Sequence, residues 1–76
     1  MWVTLDTRQT AVNILTCMNN AGYSPKMTSD SLNVSVQSVY YWIRGERVPS
    51  YENLISLSIL FQVKIEDLLS YKCTYT

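Results

Sequence analysis

Apolar residues return at helical spacing in successive stretches of the chain, with polar or turn-forming residues between them. Ala11, Ile14, Cys17 and Met18, flanked by Val12 and Leu15, share one face of a helix expected from Thr7 to about Asn20. Asp6-Thr7 can cap its start, and Gly22 stops it. Ser24-Pro25 opens a second helix to about Leu32: the Ser hydroxyl caps free N–H groups and Pro fits the first helical position. Asn33 stands where a left-handed residue is wanted, and Ser35 caps a third helix to about Arg44. Val39, Trp42 and Ile43 form the inner face of that helix, Gly45 stops it, and Pro49 forbids helix in the residue before it. Ser50 caps a fourth helix lined by Leu54, Ile55, Leu57 and Leu60-Phe61, with Asn53 leaving the capping box incomplete. Gln62-Val63 turns the chain into a last helix holding Ile65, Leu68 and Leu69, and Glu66 and Asp67 near its start suit the helix dipole.

The two ends carry less pattern. Met1 to Asp6 reads as a loose arm or an added strand, with Trp2, Val3 and Leu5 apolar enough to dock. Ser70 to Thr76, with Tyr71 and Tyr75, has no periodicity and is expected to be frayed or to lie against a partner.

Helix, short turn, capped helix and Gly stop, from Ser24 to Pro49, is how a helix-turn-helix reads in sequence. On the wheel of the second of these helices Gln37, Tyr40, Tyr41 and Arg44 point away from Val39 and Trp42. That outer set is hydrogen-bonding or cationic, the inventory needed to read base edges and hold phosphates. Gly22-Tyr23-Ser24, Leu32-Asn33-Val34-Ser35, Val39, Trp42 and Arg44-Gly45-Glu46-Arg47-Val48-Pro49-Ser50 resemble the phage-repressor/Cro-like (Xre-type) helix-turn-helix domain. Asn53-Leu54, Leu57, Leu60-Phe61, Val63 and Glu66-Asp67-Leu68-Leu69 match its last two helices without a gap, so the resemblance spans roughly residues 7–70.

The resemblance implies an all-α fold: a compact bundle of about five short helices containing a helix-turn-helix, of the lambda-repressor-like type. It implies a domain over residues 7–70, an N-terminal arm over 1–6 and a C-terminal tail over 71–76. Base contacts would fall at Val36, Gln37 and Tyr41, with Ser35 and Ser38 at the backbone. Gln37 can pair with adenine through its amide, and Val36 can pack on a thymine methyl. Lys26, Arg44, Arg47 and the helix start at Ser24 would hold phosphates. Tyr40 and Arg8 are additional candidates: Tyr40 meets DNA or covers the domain surface, and Arg8 reaches a phosphate or stays solvated.

Four residues, at three places, depart from the family's pattern. Pro25 stands where members commonly carry a Gln that clamps DNA, so only the N–H groups of the helix start remain there. Thr28-Ser29 replaces Leu-Ala, so Thr28 is expected to hydrogen-bond internally, to a carbonyl one turn back, and Met27 to take over apolar contact. Ile43 replaces Glu and either enlarges the core or seeds a contact patch.

Composition bounds the rest. Seventy-six residues make one domain, and 47% apolar residues are enough for a packed core. A core this small rarely supplies more than about 3–5 kcal/mol, so a partner subunit or ligand can contribute. No apolar run approaches the roughly 20 residues of a membrane span, and the start lacks the charge and apolar order of a secretory signal. The expectation is a soluble cytoplasmic protein of bacterial or phage type. Cys17 reads as a small buried apolar residue and Cys73 lies in the tail; two distant cysteines make neither a disulfide framework nor a zinc site. With no His and scattered carboxylates, no catalytic constellation, metal site or cofactor is expected, and the chain does not read as an enzyme.

Charge opposes the nucleic-acid reading in part. Six basic and six acidic residues cancel, whereas nucleic-acid binders are usually basic. Lys26, Arg44 and Arg47 nonetheless outnumber Asp30 and Glu46 in the reading half, while Glu52, Glu66 and Asp67 outnumber Lys64 beyond it. The expected function is sequence-specific binding of duplex DNA by a small repressor-like regulator. A homodimer would set two readers about 34–36 Å apart, with the last helix and the tail as its implied surface. The alternative is a protein-interaction module that kept this fold and lost DNA.

Overall fold

The computed structural model describes residues 2–74, in which five helices are framed by two short strands. The order is β1 (Trp2–Leu5), α1 (Thr7–Asn20), α2 (Pro25–Leu32), α3 (Val36–Arg44), α4 (Tyr51–Phe61), α5 (Ile65–Leu68) and β2 (Tyr71–Thr74). The fold is all-α in character, and the helices begin and end where cap chemistry places them.

Each of the first four helices opens on a side-chain oxygen that accepts an otherwise unpartnered N–H. Asp6 accepts from Gln9 N at 3.1 Å, Ser24 from Met27 N at 3.1 Å, Ser35 from Ser38 N at 3.2 Å and Ser50 from Asn53 N at 3.3 Å. α5 uses the reciprocal bond, with Lys64 N donating to Asp67 Oδ2 at 3.0 Å. Left-handed residues close α2 at Asn33 (φ 56°), α3 at Gly45 (φ 78°) and α4 at Gln62 (φ 57°).

The core unites Ile14 and Met18 of α1, Val39 and Trp42 of α3, Leu54, Leu57 and Phe61 of α4, and Leu68 of α5. Cys17 and Ile43 pack half-buried against it, so Ile43 extends the core margin. An edge-to-face pair of Tyr23 and Phe61, with ring centroids 5.7 Å apart, braces the turn before α2 against α4. α3 rests on α1 and α2.

Among the described residues three polar side chains are buried, and each is satisfied. Thr28 Oγ1 donates to Ser24 O at 2.9 Å, as its spacing predicts, and Ser29 Oγ donates to Lys26 O at 2.8 Å. Thr10 Oγ1 accepts from Ser70 N at 3.1 Å. Met27 does not take over the apolar contact expected of it; it is half exposed. Thr28 and Ser29 close on their own helix and leave no gap that would draw Met27 inward.

The expectation of an irregular tail fails over Tyr71–Thr74, which pairs antiparallel with β1 in the register Val3↔Cys73, Thr4↔Lys72 and Leu5↔Tyr71. α1 fixes this junction: Asp6 N donates to Ser70 O at 2.7 Å, Thr10 accepts from Ser70 N, and Asn13 Nδ2 donates to Leu68 O at 3.3 Å. Of the two readings of the N-terminal segment, the added strand is observed. Val3 stays exposed and Leu5 is half-buried, while Tyr75 and the side chains of Trp2 and Cys73 lie outside the described residues. No helix among the described residues is long and apolar enough to cross a membrane.

Candidate functional site

The exposed side of α3 is fixed by what its other side does. Val39 is fully buried and Trp42 nearly so, which leaves the helix no freedom to roll. Gln37, Tyr40 and Arg44 are therefore held in solvent on the opposite side, while Val36 and Ser38 are half-buried at its flanks.

Tyr41 departs from the wheel. It lies opposite Val39 by helical angle, yet it is half-buried and packs at the core margin. The loop after α3 folds back over it: Glu46 N and Arg47 N both donate to Tyr41 O, at 2.9 and 3.2 Å. The Arg47 guanidinium then sits 4.6 Å from the Tyr41 ring centroid, a cation–π distance. Tyr41 is thus only partly open to solvent and carries Arg47 against its ring, where the wheel alone predicts a fully exposed side chain.

The cations are tethered to different degrees. Arg47 makes no ion pair among the described residues, so its donors face solvent from a fixed base. Arg44 lies 5.4 Å over the Tyr40 ring and 3.7 Å from Glu46 Oε1, too long for a hydrogen bond. Lys26 Nζ contacts Asp30 Oδ1 at 3.0 Å on an exposed turn. Exposed pairs of this i,i+4 kind are worth roughly 0.3–0.5 kcal/mol, so a competing phosphate can displace the acid. Lys26 also keeps two ammonium donors free of that contact.

The hydroxyls at the helix starts are engaged but not exhausted. Ser24 Oγ accepts from Met27 N, which leaves its own hydrogen to donate. Ser35 Oγ accepts from Ser38 N and stands 3.0 Å from Ser38 Oγ, so one of these two hydroxyl hydrogens is used between them and the other is left over. The starts of α2 and α3 each carry one donor of this kind.

Arg8 is exposed in the first turn of α1, beside the end of α3. A Cβ placed on Gly45 would lie 3.8 Å from Arg8 Cα and 3.6 Å from Ala11 Cβ. The fold therefore brings Arg8 to the same end of α3 as Arg44 and Arg47. It also adds a residue that sequence reasoning missed: Lys72 of β2 lines a hollow of about 510 Å³ with Leu5, Asp6, Thr7, Arg8 and Gln9. No local pattern announces Lys72, because its placement depends on the pairing of the two chain ends.

A family model described as helix-turn-helix matches residues 14–68, from within α1 to the end of α5. No curated protein and no solved structure matches the chain.

Proposed function

The chain belongs to the helix-turn-helix family, of the Xre/Cro-like type, and from that membership we propose that it is a small transcriptional regulator binding duplex DNA sequence-specifically. The observation that carries this reading is the side of α3 opposite buried Val39 and Trp42, where Gln37, Tyr40 and Arg44 stand in solvent. Inserted in the major groove, α3 offers the Gln37 amide to an adenine edge, Val36 to a thymine methyl and half-buried Tyr41 to a neighbouring base. Ser24, Lys26, Ser35, Ser38, Arg44 and Arg47 serve the phosphates, Arg8 extends that set at the far end of α3, and Tyr40 adds a contact at its rim. Two copies related by a two-fold axis read half-sites about 34–36 Å apart. Such a regulator acts in the cytoplasm, where bacterial and phage DNA lies.

Titration against arbitrary duplex DNA at low salt is the test. Binding that weakens steeply as salt rises is expected, with modest affinity for arbitrary sequence because few cations are available and two of them face acids. Absence of both binding and slope would instead leave the face of Tyr40, Tyr41 and Val36 as a protein-docking surface and overturn the DNA reading.

A further inference from the structure

Gly45 closes α3 in the left-handed conformation, and the chain then turns back so that Glu46 N and Arg47 N both donate to Tyr41 O. Pro49 is buried and Ser50 caps α4, so the loop backbone is fixed at both ends. That fixes the base of Arg47 but leaves the rotamers of its long side chain open. What holds the guanidinium is the Tyr41 ring, its centroid 4.6 Å away. Tyr41 is itself half-buried and packed at the core margin, so the ring cannot wander. The other cations of the helix-turn-helix are held differently. Lys26 Nζ lies 3.0 Å from Asp30, and Arg44 lies 3.7 Å from Glu46 and 5.4 Å over the exposed Tyr40 ring. Arg47 meets no acid among the described residues, so an anion that reaches it displaces none.

We infer that Tyr41 is a positioning residue for Arg47, its ring holding the guanidinium in place for a phosphate of the DNA backbone. A cation–π contact engages the charge and consumes no N–H, so the fork of donors stays complete for an anion. A side chain ordered beforehand also loses less freedom on binding, which strengthens the contact it makes. The ring does this with or without its hydroxyl, whereas pairing with a base edge would use the hydroxyl. The two parts Tyr41 plays are therefore separable by substitution. Tyr41 O belongs to the backbone, so a change of side chain leaves the two bonds that anchor the loop in place. The phosphate half of this role rests on the DNA reading above; the hold of the ring on Arg47 does not, and is measured without DNA.

In the NMR spectrum of the free full chain, the ring should move the Arg47 side-chain protons upfield of their positions in the urea-unfolded chain. Tyr41→Phe should keep that shift, and Tyr41→Leu, which fills the core margin without a ring, should abolish it. Arbitrary duplex DNA at low salt then isolates the phosphate contacts. Tyr41→Leu should weaken this binding roughly two- to tenfold, the cost of immobilising one long side chain, while Tyr41→Phe binds like the wild type. In an Arg47→Ala background Tyr41→Leu should cost nothing further, whereas a merely structural loss would persist there. Native Arg47 resonances that coincide with those of the unfolded chain would overturn the inference, a readout that needs no variant to fold. Equal binding by the wild type and Tyr41→Leu, or a loss undiminished in the Arg47→Ala background, would overturn it as well. A shifted Arg47 in a chain that binds no duplex would instead overturn the DNA reading, and the phosphate role with it, while the hold of the ring on Arg47 stands.

Discussion

Gln37 stands in the first turn of α3 and Arg47 in the loop after it, and their surroundings give them different work. Gln37 is exposed and its amide has no partner among the described residues, whereas Arg47 is anchored over the Tyr41 ring. Gln37→Ala should therefore relax base preference at one position by about 1–3 kcal/mol while sparing affinity for random DNA. Arg47→Ala should weaken all sequences alike and lower the salt slope by about one. Equal losses on specific and random duplexes for both variants would remove this division of roles. Cys17 supplies a prediction of another kind. Burial, and after it the Asp67 carboxylate, raises its thiol above the ordinary range. The folded state thus holds the proton more firmly than the unfolded chain. That contribution is complete below the unfolded thiol's pKa of about 8.5 and is lost as pH rises through the raised value. Between neutral and alkaline pH the urea midpoint of the wild type should fall more than that of Cys17→Ala; parallel curves would show that the thiol contributes nothing.

At the scale of the element, the boundaries are a matter of local chemistry. Ser24, Ser35 and Ser50 cap three successive helices, and Asn33 and Gly45 take the left-handed closing positions. These features were legible because a cap needs only its own residue and the next three. Ser35→Ala should cost about 1 kcal/mol through loss of the bond to Ser38 N. Gly45→Ala meets only ordinary van der Waals contact with Ala11, so its cost is set by the backbone at φ 78°, about 1–2 kcal/mol. For a domain of this size that is a fall in Tm of at least about 4 °C. Gly22, at the same φ but with open space around it, should give a similar fall on substitution by Ala. A much larger loss at Gly45 in thermal melts would show that the approach of α1 to α3 tolerates no methyl group.

On the scale of the whole molecule, the sheet that joins the two ends tests how far the helical domain stands alone. Removing residues 71–76 strips β1 of its partner but leaves the core of Ile14, Met18, Trp42 and Leu57 intact. The truncated chain should keep its helical circular dichroism and melt several degrees lower, since about 1 kcal/mol shifts Tm by roughly 4–8 °C. An unchanged Tm would mean that the strand pair adds no stability.

The sequence by itself determined the helices, their order, the buried side of α3 and hence which residues could face a ligand. Those properties repeat every three or four residues, and cap and period signals act over that range. Only the tertiary structure decided that Tyr71–Thr74 is a strand, that Lys72 joins Arg8 at one hollow, that Tyr41 is half-covered by the loop after it, and that Met27 stays out of the core. Each depends on a contact with a loop, a neighbouring element or the far end of the chain. A four-residue strand carries too little alternation to declare itself before its partner, nearly seventy residues away, is in place.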